Sequence, residues 1–278
     1  MCGMRHWTTI AGPAGGALIG LAALSPVPTA QVASNARFHE TISGTLVEFE
    51  MVRVPGGRVE APGPDGPAWA DVADFHIGRT EVTWDMYDVF ALGLDVVAGD
   101  AGADAIARPS NPYGAPDYGW GHAGFPVMSV TRDAADAFCA WLSTKTGRAY
   151  RLPTEAEWQR AAALAAGDEA LDGARLHAMA WFGPNAERRT RAVATRQPDA
   201  LGLFDLFGNT AEWVTTSDGA RVTRGGSYRD DSVGPDARAV QDDSWNETDP
   251  QLPKSRWWLS DGPFVGFRLA ASVEGDQP

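Results

Sequence analysis

Between positions 205 and 212 the chain places Asp205, Gly208, Thr210 and Glu212 in one short turn. Calcium takes about six to eight hard oxygens. A tight turn with two carboxylates and two inward carbonyls can supply four or more of them. Spacing alone favours a plainer use, a helix-capping turn with surface carboxylates. The next chemical stretch is Arg224-Gly-Gly-Ser-Tyr-Arg-Asp-Asp231. Its paired glycines allow a sharp turn and close approach to a ligand, with the hydroxyls of Ser227 and Tyr228 expected at the mouth of a pocket. Asp230 and Arg238 would line the same cleft. Beyond it, residues 241–258 carry Trp245, Trp257 and Trp258 among carboxylates, amides and two cations. Flat aromatic faces with a polar rim suit sugars or cationic groups; the equally weighted alternative is that these rings pack the loop onto the core.

Other reactive residues offer less. The histidines at 6, 39, 76, 122 and 177 stand singly, without metal-ligand spacing. The two cysteines are Cys2 and Cys139, and Cys139 falls mid-helix beside a core position, where a thiol behaves as a small hydrophobe. A Ser227-based triad lacks the nucleophile-elbow pattern.

These groups need positioning elements. Alternation over Thr45–Val54 predicts a strand stopped by Pro55-Gly-Gly57, and Ala61–Pro67 reads as a Pro/Gly-rich loop. Phe75–Thr83 reads as a strand running into a helix capped by Thr83, with Trp84, Tyr87 and Phe90 on one face. Gly93–Gly124 is irregular. Thr131 caps a helix whose Ala134, Phe138, Trp141 and Leu142 form one stripe and which Gly147 ends. Thr154 and Glu157 form a capping box for the next helix. Farther on, Val222–Arg224 and Phe264–Leu269 are strand candidates between turns.

A formal charge of −13, with no basic stripe, argues against a nucleic-acid partner. The apolar run Ile10–Leu24, with small residues near Pro28–Ala33, reads as a secretory signal spanning 1–33. It is shorter than the ~20 residues a spanning helix requires, so no transmembrane span is expected in the mature chain. With Cys2 lost in the leader, no intramolecular disulfide is available.

The motifs Gly147-Arg-Ala-Tyr-Arg-Leu-Pro-Thr-Glu-Ala-Glu-Trp158, Gly202-Leu-Phe-Asp-Leu-Phe-Gly-Asn-Thr-Ala-Glu-Trp213, Arg224-Gly-Gly-Ser-Tyr228 and Gly266-Phe-Arg268, in that order, resemble the formylglycine-generating enzyme (sulfatase-modifying factor) family. The resemblance covers about Glu48 to Ala270. It implies an irregular, loop-rich α+β fold related to C-type lectins, with a domain at 48–272, a lead-in at 34–47 and a tail at 273–278. It also implies calcium at Asp205, Gly208, Thr210 and Glu212. The family's oxidases hold copper(I) on two thiolates three and eight residues after the Arg-Gly-Gly-Ser serine. Those offsets fall here on Asp230 and Pro235, or on Ala237 with a longer loop, so copper is not expected.

The expectation is an exported, periplasmic or extracellular, calcium-stabilised protein without formylglycine-generating oxidase activity. It would bind a peptide, glycan or small molecule in the family's cleft. The alternatives are an oxidoreductase or other modifying enzyme of changed chemistry, and a structural subunit in an envelope assembly.

Overall fold

The computed structural model describes residues 37–273 except 64–65, 96–100, 113 and 168–170. The expected leader over 1–33 and nearly all of the tail lie outside the described residues. Strands run over β1 (Arg37–Thr41), β2 (Glu48–Val54), β3 (Gly57–Gly63), β4 (Gly66–Val72), β5 (Phe75–Gly78), β6 (Tyr150–Arg151), β7 (Ala211–Val214), β8 (Val222–Gly225), β9 (Gly234–Val240), β10 (Val265–Gly266) and β11 (Ala270–Ser272). Helices are α1 (Trp84–Ala91), α2 (Ala101–Asp104), α3 (Arg132–Thr146), α4 (Glu155–Ala166), α5 (Gly173–Met179) and α6 (Gly183–Ala186). Among the described residues no helix is long and apolar enough to cross a membrane.

A five-stranded sheet has the order β1-β2-β5-β11-β6, a four-stranded sheet the order β10-β7-β8-β9, and β3-β4 form a separate ribbon. The lead-in is therefore structural, because β1 pairs with β2 from Arg37↔Val52 to Thr41↔Glu48. The segment Ala61–Pro67, expected as a loop, is instead the tip of the β3-β4 hairpin, whose pairing extends to Pro62↔Pro67 and Gly63↔Gly66. A two-stranded ribbon is all edge, and prolines are tolerated where no ladder hydrogen bond is required of them.

Local signals position the two main helices. The Thr131 hydroxyl accepts from the Ala134 amide, and Gly147 closes α3 at φ 76°. Thr154 and Glu157 make the reciprocal capping box of α4, a device of about 1 kcal/mol. Thr83 stands at the N-cap of α1 without a side-chain cap bond.

The core falls into two clusters. One packs α1 and α3 with Trp84, Tyr87, Phe90, Phe138, Trp141 and Phe267. The other lays Trp158 and the alanine face of α4 against Val52, Phe75, Ile77 and Phe207. The motif segments 202–213 and 224–228 run between these clusters, so their polar side chains are enclosed from several sides.

Candidate functional site

The turn leading into β7 is deeply buried. Gly208 sits at φ 85°, where a Cβ would stand 2.3 Å from the Trp181 carbonyl oxygen, so only glycine fits. Glu212, expected among calcium ligands, gives both carboxylate oxygens to the Arg268 Nε at 2.7 Å, and its Oε2 also accepts from the Trp158 indole at 2.8 Å. Arg268 completes its pairing on the carbonyls of Gly78 and Phe204. Thr210 turns its amide and hydroxyl to Glu81 Oε1, and the Asn209 amide group donates to Glu81 Oε2. Asp205 Oδ2 accepts from the Ala194 amide, while Asp205 Oδ1 is buried with no hydrogen-bond partner.

Glu81 escaped the sequence reading. It lies about 130 residues from its partners Asn209 and Thr210, and as one polar residue among Arg79, Thr80 and Thr83 before α1 it carries no local sign of that role. Glu81, Asp205 and Glu212 together face one guanidinium. Burial, followed by the charges of Asp205 and Glu212, holds the Glu81 carboxyl well above the usual range. Burial pushes Asp205 up to about 6 and raises Glu212. A buried excess of negative charge and one unmatched oxygen suit a hard cation. The fit holds at Asp205 and fails at Glu212, which Arg268 occupies. No three His, Cys, Asp or Glu side chains gather as a metal site among the described residues. An ion here would therefore depend on the Gly208 and Thr210 carbonyls as much as on carboxylate.

The Arg-Gly-Gly turn leaves β8 with Gly225 at φ 88°, its missing Cβ facing the Leu206 carbonyl at 2.7 Å. Arg224 points inward and reaches only the floor of a cavity that it shares with Gln159, Asp236 and Arg238. It is buried and meets Glu155, Gln159 and the Pro235 carbonyl. Arg238 approaches the same Glu155 oxygen at 2.7 Å from the more exposed side.

Ser227, expected at the pocket mouth, is fully buried, and its amide and hydroxyl both donate to Asp230 Oδ2 at 2.8 Å. Tyr228 is also buried: its amide donates to the Asn209 carbonyl, its ring stands edge-on to Trp120 at 5.2 Å, and burial pushes its phenol up to about 12. The turn closes a hydrogen bond onto its own first residue, which folds the Ser227 hydroxyl inward, while Tyr228 is covered by packing against Trp120.

Beside this turn lies a cavity of about 360 Å³, lined among others by Gly226, Arg229, Asp231, Arg238 and Phe264. Arg229 lies over the Phe264 ring. Asp230 lines this cavity with its Oδ2 taken by Ser227, and the Pro235 carbonyl accepts from Arg224. Cys139 is buried in α3, where desolvation raises its thiol far above the ordinary value.

The tryptophans separate. Trp245 is buried, 5.8 Å from Trp213 and 4.9 Å from Phe264, and Trp257 is buried as well, so both belong to the core and not to a cleft. Indole rings that can be covered by the 241–262 segment itself gain more from burial than from exposure. Trp258 alone stays half-buried. It lines a different cavity, between the segments around residues 111–118 and 248–260.

Residues 42–273 match the sulfatase-modifying factor enzyme 1-like domain. A formylglycine-generating enzyme of Streptomyces coelicolor is 27% identical over 281 aligned positions, covering 75% of this chain and 85% of that protein. One from Mycobacterium tuberculosis is 37% identical over 108, about a third (34%) of each chain. An inactive C-alpha-formylglycine-generating enzyme 2 of Bos taurus is 29% identical over 136 positions, 40% of each. Among solved structures, variable protein 1 of Treponema denticola superposes with a TM-score of 0.62 at 23% identity, over 85% of this chain and 99% of that one. The ordered motifs, the α+β fold and this match over most of its length make the chain a member of the sulfatase-modifying factor enzyme 1-like domain family.

Proposed function

We propose that this family member is an exported binding protein that has no formylglycine-generating oxidase activity and takes a peptide in the cavity beside the Arg-Gly-Gly-Ser turn. The observation that carries this reading is the occupation of the thiol offsets. Asp230 braces Ser227, Pro235 has no side-chain ligand atom, and the buried Cys139 is held as a neutral thiol in α3. Copper(I) selects sulfur ligands, and among the described residues no cysteine stands beside this turn. Arg229, Arg238 and Asp231 line the cavity with both signs of charge, which suits the paired polar groups of a peptide better than a purely apolar ligand.

The apolar, small-residue segment within 1–33 supports export. Calcium supports the scaffold in this reading, held by Asp205 Oδ1 and the Gly208 and Thr210 carbonyls, where it would offset the excess charge of the Glu81, Asp205 and Glu212 cluster.

Binding is tested with a fluorescent sulfatase peptide whose cysteine is replaced by serine. The expected result is saturable binding that Arg229→Ala weakens at least tenfold. Absence of saturable binding, or binding indifferent to Arg229→Ala, would remove the peptide reading.

A further inference from the structure

A second cavity, of about 350 Å³, opens between residues 111–112 and 114–118 on one side and the 248–260 segment on the other, with a lining separate from that of the cavity beside the Arg-Gly-Gly-Ser turn. Its volume lies in the range of small-ligand sites, roughly 300–1,000 Å³. We propose that it is a ligand site for a neutral pyranose sugar, with Trp258 as the stacking platform.

The platform is fixed from behind. Trp258 Nε1 donates to the Ser110 carbonyl at 2.7 Å, and Trp84 stacks near its ring at 6.4 Å and 25°. Its half-exposed ring borders the cavity. Tyr118 stands on the wall with its hydroxyl donating to the Ser260 carbonyl. Pro112, Pro116 and Pro250 add rigid apolar surface. An aromatic face of this kind buries the C–H face of a sugar ring, and fixing it beforehand removes ordering cost at binding.

Apart from one carboxylate the polar groups are neutral. Among the described residues no lysine or arginine lines the cavity, and one carboxylate does, Asp249, which is buried and committed to the amides of Gln251 and Ser255 and to Asn246. An anionic ligand would find no counter-charge, and a cationic one would meet only this carboxylate, whose oxygens are already taken by Gln251, Ser255 and Asn246. Asn111 presents an exposed amide at the rim. Ser255 Oγ accepts from the amides of Trp257 and Trp258 and keeps its own proton as a donor. An amide and a hydroxyl beside an aromatic face match the alternating donors and acceptors of sugar hydroxyls.

The wall carrying these groups is preorganised. Asn246 Oδ1 accepts from the Ser260 amide and hydroxyl, and Asp261 holds the amide and hydroxyl of Thr248. A proline-rich peptide could also use Tyr118 and Trp258, but it would leave these neutral hydrogen-bonding groups without matched partners along most of the wall.

The test titrates the full mature chain with methyl glycosides of glucose, mannose, galactose and N-acetylglucosamine, read by saturation-transfer NMR and tryptophan fluorescence. The expected result is saturable binding of at least one glycoside. Trp258→Ala should weaken it tenfold or more, Asn111→Ala, at an exposed residue, severalfold, and Ser255→Ala severalfold in protein whose Tm and tryptophan emission are checked to be unchanged. Arg229→Ala, in the other cavity, should leave sugar binding unchanged, so failure here is separate from failure of the peptide reading. The proposal is overturned if none of the four binds, if binding ignores both Asn111→Ala and Ser255→Ala, or if decaproline binds here and the glycosides do not displace it.

Discussion

Arg268 Nη2 stands 2.6 Å from Glu212 Oε1 with both side chains fully excluded from solvent, tying β7 to the segment that leads into β11. Removing one member of such a pair strands the other charge, at a cost of about 3–5 kcal/mol, whereas replacing both with apolar residues of similar size is far milder. Arg268→Met and Glu212→Leu should each lower unfolding stability by that order in urea titrations. The double substitution should cost clearly less than the sum of the two. Strict additivity would show that the pair does not act as a unit.

The Asp205 carboxylate is expected to make stability calcium-dependent. At a calcium concentration a hundred times the dissociation constant, a single native-state site contributes about 2.7 kcal/mol. Thermal unfolding should shift upward on adding calcium to chelator-treated protein, and Asp205→Ala should abolish most of that shift. An unchanged Tm with and without chelator would refute the site.

Asp230 is expected to serve the turn and not to supply chemistry. Its one oxygen Oδ2 holds both the amide and the hydroxyl of Ser227. Leaving such buried donors unpaired costs about 1–3 kcal/mol. Asp230→Ala should destabilise by that order and Asp230→Asn by less, as measured by denaturant titration. Equal stability of Asp230→Ala and wild type would contradict the bracing role.

His122 links α1 to the loop before Phe125, with Nε2 2.7 Å from Asp88 and Nδ1 2.9 Å from Asp117, and it stacks on Trp84. Partial burial alone would lower its pKa, but the hydrogen bonds to Asp88 and Asp117 outweigh this and raise it above the ordinary value. A raised folded-state pKa means that the stability it contributes is complete below the unfolded value and is lost as pH rises through the folded one. Proton NMR titration should place His122 above the unfolded-imidazole value of about 6.5. Asp88→Asn should bring it down, and no movement in that variant would contradict the linkage.

What could be read from the sequence follows the range of the interactions. The cap of α3 at Thr131 and the capping box of α4 are written within four residues, and both form as expected. β9 was not legible, because Gly234–Val240 alternates weakly and is paired only through β8. The site divides in the same way. The turn at Gly208 was visible from its glycine, but the Arg268 partner of Glu212 and the Glu81 partner of Thr210 arrive from 56 and 129 residues away. Residue type could not decide whether Trp245, Trp257 and Trp258 face solvent; only packing shows that the first two are core and the third borders a cavity.

The central claim is that the family scaffold persists here without the family's oxidation. Its most direct test incubates the purified protein with copper(I), oxygen and a cysteine-containing sulfatase peptide, and measures peptide aldehyde by hydrazide trapping and mass spectrometry, with an active formylglycine-generating enzyme as control. The account predicts aldehyde from the control and none above background from this chain. Aldehyde formed by this chain in proportion to its concentration would contradict it.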